Sequence, residues 1–162
     1  MIFSVFALVT TSAACDPVHS NKVASLGDEA PGVSPGPMHR GGQPCLECHD
    51  GKLGDPVEFS VAGTIYESAE SKTPAVGAIV MLTSSDGRPI FDKTTNEAGN
   101  FYMTPGEYTP SYPMKVSVTY RGTTVAMLSN IGRGGSCGTC HSAPAGPASA
   151  GHIDIPDGGV AP

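Results

Sequence analysis

The chain has 162 residues, 39% hydrophobic and 15% charged, with 21 Gly, 15 Pro and no Trp; this suits one modest domain with irregular flanks and excludes a large multidomain enzyme. Nine Lys and Arg against fifteen Asp and Glu give a formal charge of −6, so the basic surface that binds phosphate backbones is missing and nucleic acid is not an expected partner. Gly and Pro are unevenly spread, 11 in residues 31–56, 12 in 132–162 and only 11 in the longer stretch 57–131, which sets irregular segments around an ordered middle.

Residues 1–14, MIFSVFALVTTSAA, form an apolar run that closes on small residues just before Cys15. Too short to span a bilayer, the run reads as a secretory signal that is removed. The ending Ala13-Ala14-Cys15 resembles the lipobox of bacterial lipoproteins, which implies lipidation of Cys15 and attachment of the mature protein to a membrane. Ser12 stands where that motif usually carries Leu, and no Lys or Arg precedes Lys22; simple secretion with an incidental Cys15, and a buried apolar strand, stay open beside it. Residues 15–30 then read as a lipid-anchored flexible tether, because Pro, Gly and Ser with few aliphatics cannot offset the entropy of ordering.

The next segment, 31–56, contains Cys45-Leu46-Glu47-Cys48-His49, and the last, 132–162, contains Cys137-Gly138-Thr139-Cys140-His141. Each is a complete C-x-x-C-H, the attachment pattern of c-type haem, and together they use four of the five cysteines. Two thiols at this spacing reach the two vinyl groups of one porphyrin, and the adjacent His is held under the iron as its proximal ligand. Redox disulfides expect a thioredoxin-like βαβ setting that neither pair has. A four-Cys zinc ribbon spaces its pairs by roughly 15–20 residues, whereas 88 residues separate these, and zinc does not explain a His after each pair. At these motifs the chain resembles the diheme and multiheme c-type cytochromes of bacterial respiration. The resemblance implies two covalently attached haems, maturation outside the cytoplasm and electron transfer.

Of the five His, three remain for the distal positions. His39 lies six residues before Cys45 and His152 eleven after His141, both in Gly-rich chain able to curl around a porphyrin; they are the expected distal ligands of two bis-His sites. His19 belongs to the tether and is the poorest candidate. Met is the alternative sixth ligand, with Met38 first in line, since the other Met of the middle region read as packing.

From Val57 to Ile131 the pattern changes to short β-branched runs bounded by turn residues. Six strands are predicted, Glu58–Tyr66, Ala75–Thr83, Arg88–Thr94, Asn100–Thr104, Met114–Tyr120 and Thr123–Ser129, with a seventh allowed and turns at Ser84–Gly87, Asn96–Gly99 and Arg121-Gly122. The fold class expected for 57–131 is therefore all-β, an antiparallel β-sandwich of about seven strands. The succession Val61–Tyr66, Pro74–Val80 and Thr94–Phe101 resembles the carboxypeptidase-regulatory or transthyretin-like sandwich, a family without a single activity. The middle contains no His, no Gly-x-Ser-x-Gly elbow and no phosphate loop, so it is expected to be a spacer and not an enzyme. Its first and last strands would bring the two haem motifs toward one face.

The functional expectation is a diheme electron carrier outside the cytoplasm, in the periplasm, the outer membrane or at the cell surface. Other cytochromes or membrane redox proteins are the expected partners, and assembly into homo-oligomers or filaments stays open. A haem enzyme or gas sensor with an open axial position, and a surface interaction module with structural metal sites, are the competing readings. Absorption spectra and carbon monoxide binding separate the three.

Overall fold

The computed structural model describes residues 17–29, 31–52, 57–86, 89–142 and 147–155. The signal-like run and Cys15 lie outside the described residues, as do Gly87 and Arg88 of one predicted turn and strand. In chain order the regular elements are α1 (Pro17–Ser25), β1 (Val61–Tyr66), β2 (Ile79–Thr83), β3 (Pro89–Thr94), β4 (Asn100–Met103), β5 (Lys115–Tyr120), β6 (Thr123–Ala126) and β7 (Ile153–Asp154), with short 3-10 turns at Cys45–Glu47 and Cys137–Thr139.

The fold is all-β and sandwich-like, a three-stranded sheet β4-β1-β7 facing a four-stranded sheet β3-β2-β5-β6. Period-two alternation explains the second sheet. In β2, Val80 and Leu82 point inward and are fully buried while Ile79 and Met81 face out, and in β5 Val118 turns to the same side. From the first sheet Val61, Ile65, Phe101 and Met103 meet them, and Met114 and Tyr108 complete the core. Each such side chain contributes roughly 1.5–3 kcal/mol on full burial.

Turn chemistry fixes the registers. Arg121 (φ 48°) and Gly122 (φ 82°) form a two-residue turn with both φ positive, which matches the twist of a hairpin and joins β5 to β6. Before β4, Asn96 Oδ1 accepts from Ala98 N and Asn100 N, each at 3.0 Å. Gly99 (φ 73°) is required there, because a Cβ would stand 2.4 Å from Ile65 O.

Three differences from the sequence expectation have physical causes. The second strand begins at Ile79 and not Ala75, because Ala75–Ala78 cross between the sheets: Ala75 N bonds Ile65 O at 3.0 Å, and Gly77 (φ 78°) turns the chain so that Thr95 N reaches Ala78 O at 2.9 Å. The seventh strand lies within the C-terminal segment, read as irregular: β7 pairs parallel with β1, Ile65 against Ile153 and Tyr66 against Asp154. The segment read as a flexible tether is helical over Pro17–Ser25. This helix buries no residue and is held by polar clamps to the first C-x-x-C-H motif, where Lys22 Nζ pairs with Glu47. Beyond its end, Gln43 Nε2 donates to Leu26 O at 3.2 Å and an Arg40 guanidinium nitrogen to Gly27 O at 3.0 Å.

Candidate haem-attachment site

The two C-x-x-C-H motifs have the same local structure. At the first, Cys48 N and His49 N both bond Cys45 O, at 3.2 and 3.0 Å; at the second, Cys140 N and His141 N both bond Cys137 O, at 3.1 and 2.9 Å. Each tight turn is closed by its own first cysteine and sets the His at the exit. His49 Nδ1 then donates to Val57 O at 2.8 Å, and His141 Nδ1 to Gly151 O at 3.1 Å. Because a carbonyl only accepts, both rings carry a proton on Nδ1, and in the neutral tautomer the lone pair is then on Nε2. None of the four described cysteines is in a disulfide.

Strand β1 builds the site from both sides. On its outward face Thr64 Oγ1 accepts from Gly42 N at 2.8 Å and donates to Asn100 Oδ1 at 2.7 Å. Asn100 Nδ2 in turn reaches Pro37 O and His39 O, at 3.3 and 3.0 Å. These bonds lay the first haem segment flat against β1 and β4. Along the edge of β1, Ala62 N bonds Gly135 O at 2.9 Å and Ala62 bridges Ser136 in parallel, while β7 pairs farther on. The second motif is thus an excursion pinned at both ends to one strand. Gly135 permits this approach, since a Cβ there would lie 1.9 Å from Ser60 O.

The two motifs, 88 residues apart in the chain, meet: the space that a Cβ on Gly138 would need is filled by Gln43 O at 2.5 Å and Pro44 N at 2.8 Å. The expectation that the sandwich brings both motifs together matches this geometry. Cys137 packs into the core beside Gly63 and Phe101, and burial pushes its thiol up to about 12. Burial likewise raises Cys45 to about 11. Cys140 is exposed and Cys48 half-buried.

The remaining histidines are placed differently from one another. His39 lies 5.8 Å from His49 between ring centroids, at 25°; its Nδ1 accepts from Gly36 N at 3.3 Å, so a ligand role through Nε2 requires release of that long contact. His152 stacks on Tyr66 at 4.1 Å and 18°, and its buried Nδ1 has no hydrogen-bond partner. His19, on α1, acts electrostatically on Asp50, the residue after His49, which places the tether's His beside the first motif. Met38 is exposed.

Sequence reasoning missed Phe59, Thr64, Tyr66 and Asn100. Phe59 stacks on His49 at 4.3 Å and on Tyr102 at 4.7 Å, and the Tyr66 hydroxyl occupies the space beside Gly42. The alternation of β1 marks Thr64 and Tyr66 as outward-facing, but the burial of Thr64 comes from a segment some twenty residues away in the chain. Comparison with protein-family models, curated proteins and solved structures found no match.

Proposed function

We propose that the chain is an extracytoplasmic diheme c-type cytochrome that relays electrons between redox partners. The observation that carries the reading is the repetition of one donor geometry: two C-x-x-C-H turns, each presenting a His whose Nδ1 is bonded to a backbone carbonyl and whose Nε2 is left as a ligand. Among the described residues no three His, Cys, Asp or Glu are grouped to hold a metal ion. Porphyrin iron needs no such group, because the macrocycle supplies four nitrogens and the protein one or two, whereas a zinc site needs its ligands gathered. Haem c, when bound, supplies a one-electron couple.

The residues of the chain divide the remaining work. Cys45, Cys48, Cys137 and Cys140 would form the thioethers, His49 and His141 the proximal bonds, and β1 the common support. His39, nearest His49, would serve the first iron and His152 the second. Tyr66 and Asn100 hold those two histidines in place, Tyr66 through its ring and Asn100 through the His39 carbonyl. Lipidation at Cys15 would tether the carrier to a membrane, with other cytochromes or membrane redox proteins as donors and acceptors.

Haem content of protein matured in a host that attaches haem c tests the reading: two haems per chain that survive acid-acetone extraction are expected, and a matured protein with zinc and no haem overturns it. His39→Ala and His152→Ala should each open one iron to carbon monoxide after reduction. Carbon monoxide binding by the unaltered protein would instead favour a sensor or enzyme.

A further inference from the structure

The two attachment sites share a turn geometry but differ in what surrounds their histidines. His49 is gripped by the run leading into β1: its Nδ1 donates to Val57 O at 2.8 Å, its carbonyl accepts from Phe59 N at 2.9 Å, and the Phe59 ring stacks on the imidazole. Among the described residues, His141 is held by the Gly151 carbonyl at 3.1 Å with no aromatic ring stacked on it. The shorter bond gives the His49 imidazole more electron density, and an electron-rich axial ligand favours oxidised iron.

Charge points the same way. His49 stands among carboxylates: Glu47 and Asp50 flank it in sequence, and Glu58 packs on Gly51. Lys22 and Lys52 pair with the first two. The second segment carries Arg133, Asp154 and Asp157 in sequence, and no carboxylate flanks His141 as Glu47 and Asp50 flank His49. Cys137 is part of the apolar core, and Cys45 lies outside it. Oxidised iron carries one more positive charge than reduced iron, so nearby carboxylates favour the oxidised form and apolar burial disfavours it.

Resting on the cytochrome reading above, we infer that the two sites are inequivalent and that the first, at Cys45–His49, has the lower potential. An electron on the chain therefore resides preferentially at the second site, and transfer through the protein runs from the first segment toward the C-terminal one.

The test is a spectroscopic redox titration of the matured full chain, preceded by a haem count. Absence of haem ends the cytochrome reading itself; two haems allow the inference to be judged alone. Asp50→Asn and Glu47→Gln should raise the lower potential more than the upper one. The change expected is roughly three- to tenfold in the ratio of reduced to oxidised iron at fixed potential, the size for one charge removed about 10 Å away in a half-solvated setting. Arg133→Gln should lower only the upper potential. Should a variant fail to mature, the unaltered protein gives a second measurement: added salt screens the partly exposed Glu47 and Asp50 and the exposed Glu58 and should raise the lower potential more than the upper. Coincident potentials, a response of the upper wave to Asp50→Asn as large as that of the lower, or no response of either wave, would overturn the inference.

Discussion

Gly138 is where the second C-x-x-C-H turn touches the chain entering the first, and Gly138→Ala isolates that contact. The added Cβ would stand 2.5 Å from Gln43 O, 2.7 Å from Gln43 C and 2.8 Å from Pro44 N. All three are backbone atoms, and the turn they belong to is fixed by Glu47 N on Pro44 O at 3.0 Å, so no side chain can swing aside. Reaching ordinary contact requires the two turns to separate by roughly 0.9 Å. Overpacking of this kind costs about 1–3 kcal/mol, while restricting the unfolded chain returns about 0.4–1 kcal/mol. A net loss of up to about 2.6 kcal/mol remains, with a midpoint near 1.3 kcal/mol, a fall in melting temperature of roughly 3–5 °C at that midpoint for a chain of this size. The chemistry of attachment does not itself demand Gly, because Leu46 occupies the same place in the first motif. Thr139→Ala, at the exposed neighbouring position, should therefore leave stability near the unaltered value. Thermal unfolding followed by circular dichroism, with haem content measured on the same samples, gives the comparison. If Gly138→Ala melts with the unaltered protein, or Thr139→Ala loses as much, the two motifs are not packed as described.

Two further perturbations probe the support and the thiols. Thr64→Val leaves Gly42 N and Asn100 Oδ1 without their buried partner, which should cost about 1–3 kcal/mol and speed limited proteolysis within residues 31–44; unchanged cleavage would remove Thr64 from the support. In protein expressed without haem attachment, iodoacetamide at neutral pH should label exposed Cys140 first and Cys137 last, since burial raises Cys137 from 9.0 to about 12 and Cys45 to about 11. A thiol whose pKa is raised by folding contributes stability that is intact below the unfolded value and lost as pH rises through the folded one. The haem-free chain should thus weaken from pH 9 upward, through 11 to 12, and the matured protein, whose thioethers do not titrate, should lack this loss; equal pH profiles for the two forms would contradict the burial described.

The parts of the fold legible in the sequence are those written in local patterns. Alternation in Ile79–Thr83 and Lys115–Tyr120 and the Arg121-Gly122 turn announce the second sheet, and the spacing of each C-x-x-C-H announces a tight turn closed on its own first cysteine. What was hidden depends on distant partners. Helix α1 has no apolar period to betray it, because Lys22, Leu26 and Gly27 find their partners at Glu47, Gln43 and Arg40. Strand β7 is two residues long and exists because β1 has a free edge. Gly63, Gly135 and Gly138 look like ordinary loop or strand glycines, yet each marks a place where one haem segment presses on another part of the chain.

That dependence on a distant edge makes β7 the sharpest point at which fold and site can be pulled apart. Ile155, just beyond the strand, is buried in the core, so Ile155→Ala should cost about 2–4 kcal/mol and loosen the strap that pairs Ile153 with Ile65. The same strap presents Gly151 O to His141, seats His152 on Tyr66, and ties Ala150 N to Cys140 O at 2.8 Å. Its release should disturb the electronic spectrum of the second site and leave the first unchanged. Leu82→Ala provides the control, since Leu82 is fully buried in the other sheet and its loss lowers stability by a similar amount without touching either motif. A spectral change shared equally by the two variants would mean that the site merely reports global stability. A change in Ile155→Ala alone would show that a short parallel strand at the edge of the sandwich sets the geometry of the second histidine pair.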